Sequence, residues 1–398
     1  MTAAKCFSCI PKSARRWVRN YLLCQYALKV TPTATGFALT QTDTTGATIA
    51  ASWDALPTGV TSSQVWTSTD NVNFSLATTI AAPGNSTTLT PPGAANVLYA
   101  KVLWCTASGC GSFSSTDNMP GCVPDYAARV ITNGGAAVSV ATLAALRTFA
   151  QSLNTNGLFS SMVSVLTYAP DNLIAAITPF IKTAGNDPWT NNGGNFVAGD
   201  LTINGLKGNA STKVLDSGLV STAIWQNTAN NIIAGTSGGI SLYTFDVGTV
   251  ASGTDIGASN NAASGEVQLC AIFQPTSNNN CIWDFANNST ARVSSLNTGF
   301  TGFTSGSRTS GSRSDLYHAS STVAFANLGN TVINAIGNVM PIQSFAAHGF
   351  KSSAGVLTSN SDRRISFAAF HLGLTSAQTQ ALYNAVQALR VGFGGGFV

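Results

Sequence analysis

The chain has 398 residues, of which 44% are hydrophobic and only 9% charged, where an ordinary soluble domain carries ~25% charge. This length can build two or three cored domains, and normal hydrophobicity with little charge excludes a long disordered chain. Glu266 is the sole glutamate, and His318, His348 and His371 are the only histidines. A site built on a glutamate pair is therefore excluded, and zincin, P-loop and dinucleotide-binding signatures are absent from the sequence.

The formal charge of +4 is unevenly placed. Lys5, Lys12, Arg15, Arg16, Arg19 and Lys29 all precede the first acid, Asp43. Because the cations are not spread over the body and interleaved with aromatics, no nucleic-acid partner is expected. Ser13 predicts the cap of a helix running to about Leu28, with Trp17, Tyr21 and Leu28 beside Val18, Leu22 and Gln25 as its packed stripe. Such a helix is marginal alone in water, so Arg15, Arg16, Trp17, Arg19, Tyr21 and Leu22 are candidate anchoring residues for another subunit or partner. Folding back on the neighbouring domain is the alternative. The pattern predicts neither a Sec-type leader nor a membrane span, which needs ~18–20 apolar residues. Cys6, Cys9 and Cys24 supply three thiols without a nearby histidine. A zinc site there would need a fourth ligand from another chain, and no metal or cofactor is expected.

Residues 31–117 alternate in short runs broken by Gly, Pro, Asn and Asp, predicting strands at Ala47–Trp53, Ser63–Ser68, Ser75–Ile80 and Asn96–Trp104. Residues 118–184 read as a linker followed by a helical block. Ser139 caps a helix with Val140, Leu143, Leu146, Phe149 and Leu153 on one face and Gly157 as its stop, and Asp171 caps a shorter one. Residues 185–398 return to strands and end in a helix opened by a Thr375/Gln378 capping box. The fold class is mainly β: two sandwiches, a short helical block between them, and helices at both ends of the chain. Cys105 and Cys110 could bridge one hairpin and Cys270 and Cys281 another.

The order of Trp53, "VWTSTDNVNF" with its turn at Asp70-Asn71, and "TLTPPGAANVLYAKV" resembles a fibronectin type III domain. That resemblance implies core roles for Trp53 and Tyr99. The segments "VAGD…GLKGNASTKVLDSG", "TGFTSGSRTSGSRSDLYHAS" and "SDRRISFAAFHLGLTSAQTQALYNAVQAL" resemble the concanavalin A-like, or LamG-like, jelly rolls of tailed-phage virion proteins. The preceding "ARVITNGGAAVSVATLAALRTF" is similar to their helical collar, and the opening "CFSCIPKSARRWVRNYLLCQYA" to the first segments of phage appendage proteins.

The resemblance implies a structural virion protein, a fibre or appendage attached to other virion proteins by its N-terminus. It would self-associate, a trimer being the expected state, and display a jelly roll toward a host surface glycan. A head-decoration protein that reinforces the capsid is the alternative, and a glycan depolymerase using Glu266 with Asp284 is a second. Lectins of this class often hold calcium, but Asp200, Asp216, Asp246, Asp255 and Asp284 lie in separate segments. Glycan-binding candidates are Trp283 and the expected loop Gly299–Ser314 with its flank, namely Arg308, Arg313, Tyr317 and His318. Trp189, Trp225 and Tyr243 are the remaining visible rings.

Overall fold

The computed structural model describes residues 32–220, 237–249, 253–261, 267–273, 280–287, 292–296, 301–310, 313–331, 343–352, 354–358 and 360–396. The proposed anchor, residues 1–30, lies outside them, as do Glu266 and Trp225. The chain divides into two compact units, the main boundary falling between Gly121 and Cys122, with Asp43–Ala47 belonging to the second.

The first unit contains β1 (Ala38–Thr40), β2 (Ile49–Ser52), β3 (Val60–Ser68), β4 (Ser75–Ala81), β5 (Ser86–Leu89), β6 (Val97–Thr106), β7 (Gly109–Phe113) and β8 (Asp117–Pro120). One sheet has the order β1-β2-β5 and the other β4-β3-β6-β7, with β8 also paired to β6. This is a fibronectin type III-like sandwich. Strict alternation supplies its core, with Leu39, Ile49, Ala51, Trp53, Val65, Ala100 and Val102 all buried. Trp53 occupies the expected core position, but Tyr99 is only half-buried and Trp104 is buried instead. The turn at Asp70-Asn71 forms as expected: Asp70 Oδ1 accepts the Val72 and Asn73 amides at 2.8 Å, and Asn71 has a φ of 60°. Cys105 and Cys110 face each other across β6 and β7 and form a disulfide.

The second unit begins with α1 (Cys122–Thr132), α2 (Val140–Thr155), β9 (Met162–Leu166), α3 (Leu173–Ile177), β10 (Ile181–Lys182), β11 (Thr190–Asn191), β12 (Leu201–Thr202) and β13 (Gly205–Lys207). Next come β14 (Leu215–Val220), β15 (Gly238–Thr244), β16 (Thr254–Asn261), β17 (Val267–Phe273), β18 (Asn280–Asn287) and β19 (Val293–Leu296). It closes with β20 (Gly302–Ser310), β21 (Arg313–Ala319), β22 (Ala326–Thr331), β23 (Ser344–Ala347), β24 (Phe350–Lys351), β25 (Leu357–Thr358), β26 (Arg364–His371) and α4 (Ser376–Gly392).

These strands make two nine-stranded sheets. One runs β10-β9-β26-β15-β20-β21-β22 with β12 and β13 attached, and the other β11-β14-β23-β16-β17-β18-β19 with β24 and β25 attached. Ile240, Leu242, Leu316, Ala368 and Phe370 from the first sheet share one core with Leu215, Ile256, Ile272, Trp283 and Phe345 from the second. The first sheet is also covered on its other side. Phe149 of α2 meets Phe367 at 5.9 Å, Tyr383 of α4 meets Phe303 at 5.6 Å, and the Arg390 guanidinium sits 4.9 Å above the Tyr243 ring. Helices, first sheet and second sheet thus form three layers, and every residue of β15 is buried.

Several expectations change here. The segment read as a linker after Phe113 is strand β8 followed by α1, and the helical block belongs to the same compact unit as the sandwich. Asn172 rather than Asp171 caps α3, while the Asp171 carboxylate accepts the Ser139 amide at 2.8 Å. Ser139 and the Thr375/Gln378 box cap α2 and α4 as expected. Register sets Cys270 opposite Phe285 and Cys281 opposite Ser295, and Cys281 is a free buried thiol, so the second hairpin has no disulfide.

Gly306 is fixed by packing, because a Cβ there would stand 2.0 Å from the Trp283 indole. Gly306→Ala is expected to lower unfolding stability by about 1–3 kcal/mol through overpacking, measured by denaturant titration. A neutral result would mean that the indole can shift.

Candidate functional site

Most of the residues read as a glycan site are interior. Arg308, Tyr317, His318 and Trp283 are at most 2% exposed. Most of the expected loop is instead strand β20 with the start of β21, and residues 302–308 are buried between the helices and the second sheet. Trp283 Nε1 donates to Ser314 Oγ at 2.7 Å, His318 Nδ1 lies 3.1 Å from Thr304 Oγ1, and Tyr317 stacks on Phe325 at 5.6 Å. Arg313 alone reaches solvent, with its guanidinium held by Asp315 at 2.8 Å. Trp189 and Tyr243 are buried as well. Both faces of these strands have protein partners, and alternation alone does not report that.

The aspartates weighed as metal ligands are each bound to a cation. Asp200 pairs with Lys213, Asp216 with Lys351 at 2.6 Å, Asp246 with Lys207 at 2.6 Å, Asp255 with Arg363 at 3.0 Å and Asp284 with Arg292 at 2.8 Å. Among the described residues no three His, Cys, Asp or Glu side chains gather to hold an ion. The Asp255–Arg363 pair is fully enclosed, Ser361 Oγ donating to Asp255 Oδ1 at 2.7 Å and Arg363 Nε to the Val247 carbonyl at 2.8 Å. Burial pushes the Asp255 carboxyl above the usual range against the pull of that guanidinium. Asp284, proposed as a partner of Glu266, is likewise buried and raised by burial.

The three histidines are interior too. Burial holds His348 down to about 3, and His318 and His371 down to about 4. His348 stands between the Phe196 ring at 5.1 Å and the Tyr168 ring at 6.0 Å. Its φ is 61° because its amide donates to the Asp255 carbonyl (2.8 Å) while its own carbonyl accepts the Ser361 amide (3.1 Å).

Among the described residues a cluster of half-buried and exposed rings lies instead on the first unit, at residues the sequence reading passed over. Leu76, Trp66 and Lys101 are directly paired across β4, β3 and β6, and Phe113 on β7 stands opposite Leu103, two residues along β6 from Lys101. Trp66 and Phe113 meet edge to face at 5.8 Å, and Lys101 Nζ is pinched between Phe74 (3.7 Å) and Phe113 (4.1 Å). Leu76 is 47% exposed and Phe113 36%. Trp66 Nε1 donates to Gln64 Oε1 at 3.2 Å, which fixes the indole. The signal was present in "SSQVWTS": period-two alternation that buries Ser63 and Val65 turns Gln64 and Trp66 outward.

No protein-family model matches the sequence, and no curated protein aligns with it. Solved fibronectin type III structures are similar over a part of the chain. An Fn3-like protein from Clostridium thermocellum is 21% identical (TM-score 0.21), the match covering 23% of this chain and 92% of that one. An FN3 domain of human collagen XX is 18% identical (TM-score 0.19), the match covering 22% of this chain and 88% of that one.

Burial of neutral histidines sets a pH dependence. Below pH 6.5 the unfolded chain takes up protons that the folded chain refuses until about pH 3 to 4. Stability is therefore full above pH 6.5 and falls as the pH drops through that window, by at most about 1.4 kcal/mol per pH unit per histidine. The raised carboxyls of Asp255 and Asp284 act in the opposite sense. His348→Asn isolates one contribution and keeps a residue tolerant of positive φ. Denaturant titrations at pH 7, 6, 5 and 4 are expected to show a shallower acid loss in the variant, and identical slopes would show that His348 is protonated in the fold.

Proposed function

We propose that this protein is a non-catalytic structural and adhesive protein, and specifically a virion appendage of a tailed phage. In this reading residues 1–30 attach it to other virion proteins, the fibronectin type III-like unit acts as a spacer, and the LamG-like sandwich is displayed outward. The observation that carries the reading is how this charge-poor chain uses its charges. The acids from Asp200 to Asp284 named above, with Asp125, Asp187 and Asp315, are each held in an ion pair within the chain. What remains for the surface is largely Ser, Thr, Asn and Gly, which can hydrogen-bond neighbouring subunits or sugars without stripping water from ions. Self-association follows the same logic, since appendages of this kind are closed homo-oligomers.

The reading favours scaffold over catalyst because Asp284, the partner a Glu266-based depolymerase would need, is buried under Arg292. Deleting residues 1–30 is expected to leave a folded protein that no longer enters particles, measured by immunoblot of purified virions. Retained incorporation would overturn the anchoring role. Release of reducing ends from host polysaccharide by the purified protein would overturn the non-catalytic reading.

A further inference from the structure

The outward face of the first unit's five-stranded sheet carries binding chemistry that the reading above does not use. Leu76, Trp66 and Lys101 form one row across β4, β3 and β6, Phe113 of β7 stands opposite Leu103 and reaches the Trp66 ring and the Lys101 ammonium from there, and the Phe74 ring packs on the same ammonium. Partly exposed rings set side by side on a sheet are costly to leave in water and are characteristic of contact surfaces. Lys101 is the only charge in the row. Two ring faces hold its ammonium, so it is pre-positioned rather than waving on a flexible stem, and a lysine has three donors to offer. The carboxylate at the neighbouring turn, Asp70, is engaged by Ser68, Val72 and Asn73.

From the juxtaposition of the Trp66 and Phe113 rings with a ring-held Lys101, we infer that this face binds an acidic glycan. The CH faces of a sugar lie on the rings, and a carboxylate of the same or the next residue meets the Lys101 ammonium. Charge complementarity selects this occupant over a second copy of the chain, because two-fold pairing of the face would press Lys101 toward its own symmetry mate. The uncharged polar surroundings suit sugar hydroxyls, with Gln64 beside the indole and Thr79 opposite Gln64 on β4. The inference goes beyond the proposed appendage role, which puts adhesion on the second unit, and it stands independently of it.

The test uses the full chain and immobilised polygalacturonate, with dextran as the neutral polymer. Binding to polygalacturonate is expected, weaker on dextran and weakened by salt. Trp66→Ala and Phe113→Ala are each expected to reduce it at least about tenfold, and Lys101→Gln to abolish the preference for the acidic polymer. Leu76→Asp, at an exposed position that removes no ring, should also weaken binding, with an unchanged melting temperature showing that the unit is folded. Absence of binding, or binding that these variants leave intact, overturns the inference. So does binding to phosphatidylserine vesicles in place of polygalacturonate, or a Trp66-dependent dimer in sedimentation without glycan binding.

Discussion

Strands β15, β20, β21 and β26 are pressed between a second sheet on one side and the helices α2 and α4 on the other, and this double coverage governs the larger unit. A sheet with no wet face must satisfy every polar side chain internally. Ser241 Oγ accordingly lies 2.9 Å from His371 Nε2 and 2.7 Å from Ser305 Oγ, and Ser307 Oγ donates to the Leu374 carbonyl at 2.7 Å. The same enclosure keeps the histidines neutral, puts Arg390 against the Tyr243 ring and makes Gly306 the floor beneath Trp283.

Signals that depend on local chemistry were legible in the sequence. Ser139 and Thr375 are capping residues because their hydroxyls accept an amide three residues on, and neither needs tertiary context. The fibronectin type III-like order was likewise readable from alternation and from the Asp70 turn. Helix α1 was hidden because "CVPDYAARVIT" begins with turn-forming residues, yet Pro124 is tolerated in a first turn, where its missing amide proton leaves no gap. Strand β9, "MVSVL", is an apolar run too short for periodicity to type.

The candidate glycan residues failed for a different reason. "RSDLYHA" has the polar content of a wet strand, but Asp315 is bound by Arg313 and Asn327, Tyr317 by Phe325, and His318 by Thr304. Polarity reports exposure only when water is the partner. The outward rings of the first unit were missed for the converse reason: Trp66 lies in a run that looks like core, and only its phase relative to Val65 reveals its direction.

The cysteines differ sharply in chemical access. Cys122 and Cys281 are free thiols whose burial raises them far out of the thiolate range, which makes them poor nucleophiles inside the folded chain. The Cys105–Cys110 bridge instead spans the hairpin β6–β7 that carries Lys101 and Phe113, and Cys110 is exposed. Of these four cysteines, oxidants and reductants therefore reach chiefly the pair on one short hairpin. A change of surroundings from reducing to oxidising would stiffen the ring-bearing edge of the small unit.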